Sequence, residues 1–188
     1  MTALSSLSSQ LSLEWQDSSC FPNLPHRLSG WLNSQDSMTA RLKRHCAHFE
    51  VLRLSESWYN NEQHQLIRLL DDGMLFGREV LLCCDESPAV YAWTLIPETT
   101  IQATGHPLMQ LADQPLGELL FKGSKARRER LQLATFAQHE LPPKVLRHIK
   151  LQSSEPLWGR RSMLYYQQHP LLVHELFLPG MAAYKDNQ

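Results

Sequence analysis

Apolar and polar residues alternate most regularly from Met74 to Cys84. Phe76, Arg78, Val80 and Leu82 fall on one face, and Leu75, Glu79, Leu81 and Cys83 on the other. Asp85-Glu86-Ser87-Pro88 interrupts the run, and Ala89 to Ile96 returns until Pro97 stops it, which predicts a β-hairpin. A second strand pair is predicted from Leu157 to Pro179, around a polar turn at Gln167 to Pro170. Phe49 to Trp58 and Leu131 to Phe136 read as further strands. Helical spacing of Leu24, Leu28, Trp31 and Leu32 predicts a helix over 24–33. Asp36 or Ser37 is a suitable N-cap for a second helix through Met38, Leu42 and Cys46. Shorter helical turns are expected at Leu108–Leu111 and at Pro115–Phe121, where proline suits the first turn.

Helices gather early and mid-chain while strands come as hairpins, with no βαβ rhythm. The pattern predicts an α+β fold on an antiparallel sheet. The chain has 188 residues, enough for a single domain, with 43% apolar and 20% charged residues. We expect residues 1–20 to be a Ser-rich, partly ordered lead-in and 21–188 to be the domain. Residues 139–156 read as a polar excursion or short surface helix, and Gly180–Gln188 as a frayed tail. A net charge of −1 gives no field that would draw the chain to nucleic acid or anionic lipid. No apolar run is long enough to span a membrane, and no signal peptide is recognisable, which predicts a cytoplasmic protein. Cys20, Cys46, Cys83 and Cys84 form no CxxC pair and read as reduced thiols. With no long exposed apolar stripe, a monomer is expected.

The residue that breaks its pattern is Glu175. On a strand it shares a face with Leu171, Val173 and Phe177, while His174 shares the other with Leu172, Leu176 and Leu178. A carboxylate in an apolar row needs a partner. Arg78, also in an apolar row, offers two readings: the pair forms a structural salt bridge, or both serve a ligand. His45 and His48 lack a third ligand at useful spacing, so no metal is expected. Lys122 to Arg130 is basic without interleaved aromatics, and reads as a solvated face rather than a nucleic-acid site. Arg160 and Arg161 read as residues at the sheet's end or the site's entrance. Neither a nucleophile elbow nor a glycine-rich phosphate loop is present.

Five blocks then carry a resemblance: D-S-M-T-x-R-L at 36–42, R-E-V-L-L-C at 78–83, P-L-G-x-L-L-F at 115–121, L-W-G-R-R-S at 157–162 and P-L-L-V-H-E-L-F-L-P at 170–179. In this order they resemble the chorismate pyruvate-lyase family, which makes 4-hydroxybenzoate at the start of ubiquinone biosynthesis. The resemblance implies one α+β domain, with helices on one face of an antiparallel sheet and flap-like helical segments over a buried site. It implies no metal and no organic cofactor. The family's ligand positions fall on Met38, Arg78, Leu116 and Glu175, with Arg78 and Glu175 the candidate catalytic pair.

These residue types suit a small dianion such as chorismate. A guanidinium fits a planar carboxylate. Met38 and Leu116, near helix starts, would contribute free backbone amides. Glu175 would face the 4-hydroxyl, as an orienting group or as a base. Where relatives lead us to expect a basic or smaller residue, this chain has Trp93. Lys122, Arg160 and Arg161 are then the candidates for binding the enolpyruvyl carboxylate. An Arg–carboxylate clamp in a buried site also predicts tight product retention. The alternative function is a non-catalytic sensor of aromatic acids, since effector domains of some bacterial regulators share this fold. Those regulators carry an N-terminal winged helix, for which the roughly 20 residues before the first helix are too few.

Overall fold

The computed structural model describes residues 14–60, 70, 73–122, 126–150 and 155–185. Most of the Ser-rich lead-in and the 61–69 segment lie outside the described residues, as do 71–72, 123–125, 151–154 and 186–188.

Seven strands form one antiparallel sheet: β1 (Gln16–Asp17), β2 (Phe49–Asn60), β3 (Met74–Cys84), β4 (Ser87–Pro97), β5 (Ala126–Phe136), β6 (Leu157–Tyr166) and β7 (His169–Phe177). Their order across the sheet is β1-β5-β6-β7-β4-β3-β2. The α+β class follows. Both hairpins turn more tightly than their sequences suggest. Cys84 pairs with Ser87 across Asp85 and Glu86, and Tyr166 pairs with His169 across Gln167 and Gln168. All four turn residues have positive φ, between 49° and 71°. Such two-residue turns match the right-handed twist of the strands they join. Strand β5 begins at Ala126, five residues before the expected Leu131. Its register shifts between Glu129 and Gln132, where Arg130 has φ 48°. That bulge breaks the parity of the pattern and hides the strand.

Among the described residues, six short α-helices pack on this sheet: α1 (His26–Leu32), α2 (Met38–Lys43), α3 (Glu98–Thr104), α4 (Leu116–Phe121), α5 (Pro143–Leu146) and α6 (Ala182–Lys185). Ser37 caps α2, its Oγ accepting from the Ala40 amide at 3.3 Å. α3 was not expected, because Thr99, Thr100 and Thr104 lower helix propensity. It forms where Pro97 ends β4, and Gly105 closes it at φ 77°. The tail is tethered rather than frayed as far as Tyr184. Met181 is fully buried, and the Trp158 amide donates to the Tyr184 hydroxyl at 3.0 Å.

The strands bury both faces. On one, Val80, Leu82, Ala92 and Phe177 pack under α1 and α2, while Phe76, Ile96, Leu164 and Val173 pack under α3 and α4. On the other, Leu81, Tyr91, Trp93, Leu172 and Leu176 pack with Val145 of α5. α5 is held there by charge. Glu79, fully buried, accepts from Lys144 Nζ at 2.6 Å, from Ser55 Oγ at 2.7 Å and from the Tyr91 hydroxyl. The 139–156 excursion is therefore in part a structural cover for this face, not surface decoration. Trp15 also covers it, with its ring 5.5 Å from that of His174 and close to Gly159.

His174 stacks on Trp93 at 4.7 Å and has Nδ1 3.2 Å from the Trp93 carbonyl. Burial, helped by Arg161, pushes its pKa down to about 3, so it is neutral in the folded protein. The unfolded chain takes up this proton near its ordinary value of about 6.5 and the folded chain only near 3. Stability from this group is complete above the upper value and falls as pH drops towards the lower one. The slope approaches about 1.4 kcal/mol per pH unit between them. Urea unfolding of wild type and His174→Gln at several pH values should show a pH dependence that is steeper in wild type, by up to that slope.

Candidate active site

Five strands and two helix starts line a cavity of about 40 Å³. Its floor includes Arg78 and Val80 of β3, Thr94 of β4, and Val173 and Glu175 of β7. Its roof is Met38 and Thr39 of α2 with Leu116 and Gly117 of α4. The four residues expected from the sequence are thus together on one cavity. Cross-strand register explains the spacing. Arg78 stands opposite Thr94, and Thr94 opposite Val173, two residues before Glu175. Two strand spacings and one two-residue step put the Arg78 and Glu175 backbones roughly 12 Å apart.

The roof depends on a glycine. α2 and α4 meet with their N-terminal turns together, and a Cβ on Gly117 would lie 2.7 Å from Ser37 Oγ and 2.8 Å from Thr39 Oγ1. Lys43 and Glu118, both half-exposed, add an ion pair between the two helices. The first amides of each helix have no carbonyl one turn earlier to bond, and both helices begin at the cavity. Their partial positive charges add to that of Arg78.

Arg78 is almost fully buried. Its Nε donates to Glu56 Oε1 at 3.1 Å, and its Nη2 donates to the carbonyls of Ala112 at 2.6 Å and Gln114 at 3.2 Å. Nη1 has no protein partner among the described residues. Burial lowers the Arg78 pKa, and Glu56 works against that. The guanidinium stays charged at neutral pH. It fixes the 112–115 loop that leads into α4, and Arg78 lines the cavity.

Glu175 does not pair with Arg78, so the salt-bridge reading of those two residues is corrected. Glu175 accepts from Arg160 Nε at 2.6 Å, and Arg128 Nη1 lies 3.7 Å from the same oxygen. Burial alone would raise the Glu175 carboxyl. Arg160 and Arg128 together outweigh it and hold the group below the ordinary carboxylate value. The carboxylate is ionised and weakly basic.

Two expectations about cations are corrected at the same place. Arg160 does not terminate the sheet or line an entrance. It is fully buried in mid-strand, and its Nη1 donates to the carbonyls of Trp31 at 2.9 Å and Ser34 at 2.8 Å, at the end of α1. Nor is the basic run wholly a solvated face. Arg127 is exposed, but Arg128 keeps only 3% of its side chain accessible, lines the cavity and donates to Ser162 Oγ. Trp93 and Arg161 lie on the opposite face, where Arg161 donates to Gln132 Oε1 at 2.9 Å. The unusual Trp93 therefore leaves the cavity unchanged.

The register of β6 and β7 could have revealed Arg160. A turn centred between Gln167 and Gln168 sets Arg160 opposite Glu175, as observed. A turn spread over 167–170 would instead set Ser162 there. Arg128 left no comparable signal, because the bulge at Arg130 separates it from the regular part of its strand. Glu56 was also missed. It follows a second register shift, between Arg53 and Ser55.

The fold brings a buried guanidinium, two helix starts and a buried ion pair together around one small cavity. The sequence model of the chorismate lyase family matches residues 10–186, and the chain belongs to that family. A probable chorismate pyruvate-lyase of Pseudoalteromonas translucida is 36% identical, over 93% of this chain and 96% of its own. One from Aeromonas hydrophila is 41% identical, over 92% and 91%. The chorismate pyruvate-lyase of Photorhabdus laumondii is 33% identical, over 87% and 88%. In fold alone the chain is also similar to the effector domain of PhnF from Mycobacterium smegmatis. There the TM-score is 0.53 at 14% identity, covering 77% of this chain and 89% of that one.

Replacing Arg160 with methionine would leave Glu175 with the more distant Arg128 alone and remove the bonds to α1. Loss of one partner from a buried pair costs about 3–5 kcal/mol. Arg160→Met should lower the unfolding free energy by that amount, read as a lower urea midpoint at an unchanged m-value.

Proposed function

We propose that this protein converts chorismate to 4-hydroxybenzoate and pyruvate, with Arg78, Met38, Leu116 and Glu175 as its ligand-binding residues. The observation that carries the reading is the cavity lined by Arg78, Met38, Leu116 and Glu175, in a chain of the chorismate lyase family. The free edge of Arg78 and the first amides of α2 and α4 bind the ring carboxylate. Glu175 accepts a hydrogen bond from the C4 hydroxyl at the far end.

In the reaction the ether bond at C3 breaks, and its electron pair leaves with the oxygen as the enolate of pyruvate. C4 loses its hydrogen as a proton, the ring becomes aromatic, and the enolate carbon takes up a proton. Aromatisation supplies the driving force. The protein holds the reactive conformer and stabilises charge as it develops on the leaving oxygen. The depressed basicity of Glu175 favours the orienting role over that of general base. The reading extends to a cytoplasmic monomer acting at the start of ubiquinone biosynthesis. None of the described helices is long and apolar enough to cross a membrane.

The test is to add chorismate to the purified protein and follow pyruvate release alongside absorbance of the aromatic product. Equimolar formation of both is expected. Binding without turnover would instead indicate the sensor reading, to which the likeness with the PhnF effector domain gives fold-level support only. Glu175→Gln keeps a hydrogen-bond acceptor. An orienting role predicts a loss in kcat of about tenfold or less, whereas loss of a general base costs about 10²–10⁴. Product affinity, measured by calorimetry, should be retained.

A further inference from the structure

We infer that Arg128, backed by Arg160, receives the second carboxylate of the substrate, the one on the enolpyruvyl ether. Arg128 is then the residue that distinguishes the dianionic substrate from its monoanionic product. The inference rests on the lyase reading above and deepens it.

Three observations on the structure point there. Arg128 lines the cavity at the Glu175 end with a buried side chain, and its Nε has no hydrogen-bond partner among the described residues. Behind it, Arg160 Nη2 is also buried and without a partner among them. Unsatisfied buried donors are rare and costly, and two on adjacent guanidinium groups mark a place that an acceptor completes. The third observation is charge. Two buried guanidinium groups share one buried carboxylate, Glu175, so this end of the cavity holds an uncompensated positive charge. Asp36 also acts on Arg128, but it is exposed. Burial draws the Arg128 pKa down to about 10, which still leaves the group charged at neutral pH.

The substrate's chemistry fits this placement. The ether-bearing C3 and the hydroxyl-bearing C4 are neighbours, at the end of the ring remote from the C1 carboxylate. With C1 at Arg78 and the hydroxyl at Glu175, the ether arm lies beside Glu175, where Arg128 reaches in over Ser162. A cation at this position also favours the reaction, since the negative charge of the departing enolate grows on the oxygen next to that carboxylate. Once pyruvate has gone, the remaining phenol offers Arg128 no anion. Arg78 and the helix amides keep the product, and Arg128 acts on the substrate alone.

The test uses two stable probes, benzoate with one carboxylate and 3-(carboxymethoxy)benzoate with a second on an ether arm. Their binding to wild type, Arg128→Met and Arg128→Lys is measured by calorimetry, with chorismate kinetics in parallel. Wild type should bind the diacid about tenfold to a hundredfold tighter than benzoate, the range expected for a hydrogen bond to a charged partner. Arg128→Met should lose that preference, keep benzoate affinity within about threefold, and raise KM for chorismate about tenfold or more. Arg128→Lys should keep part of the preference. A wild type that binds the diacid no more tightly than benzoate would overturn the proposal. So would an Arg128→Met that weakens both probes equally, the mark of a merely structural residue. If the methionine variant does not fold, the wild-type comparison and the lysine variant decide. Failure of wild type to release pyruvate from chorismate would sink the lyase reading, and that outcome is read separately from the probe preference.

Discussion

The structure depends on the contact between Arg160 and Glu175. The pair joins neighbouring strands in the middle of the sheet and is closed to water. Removing two charges from water is expensive, and such a pair survives only where further hydrogen bonds satisfy it. Here the carbonyls at the end of α1 supply them. One guanidinium therefore sets the β6–β7 register, anchors the first helix against the sheet and keeps a carboxylate ionised at the cavity. An apolar pair of similar volume would hold the strands as well. It would not present a charged, weakly basic acceptor to a bound ring.

The two faces of the sheet use the same device for different ends. On the α5 side, Glu79 is neutralised by Lys144 and Tyr91. On the cavity side, positive charge exceeds negative. Neighbours in sequence separate the two environments, Arg78 from Glu79 and His174 from Glu175. Period-two alternation is what allows a structural cluster and a binding cluster to share strands without sharing dielectric.

That alternation is also why much of the molecule was legible in its sequence. The β3–β4 and β6–β7 hairpins, the opposite faces of His174 and Glu175, and the starts of α2 and α4 follow from pattern and capping alone. Glu175 stood out as a carboxylate in an apolar strand row, Met38, Arg78 and Leu116 came from the family resemblance, and all four line one cavity. What stayed hidden lies beyond irregularities that shift parity. Arg128 precedes the bulge at Arg130, and Glu56 follows the shift after Arg53. Arg160 was visible but misplaced, because a turn drawn too wide moves the cross-strand partner by two residues. Pattern reading finds residues that obey a period. The second cationic pole sits where the period slips.

Arg78 has one further consequence. Its Nη2 grips the Ala112 and Gln114 carbonyls, so the loop into α4 hangs from the same planar group that faces the cavity. The door and its occupant share a hinge. A cavity of about 40 Å³ is far smaller than the roughly 150 Å³ that accommodates benzene, so a ring acid enters or leaves only when that loop and the helix starts part. A carboxylate bound to Arg78 would steady the guanidinium and, through it, the loop. For a ligand in that position, residence time would follow the opening of the door as well as the strength of the grip, and a tightly held ligand and a slowly exchanging one need not be the same thing.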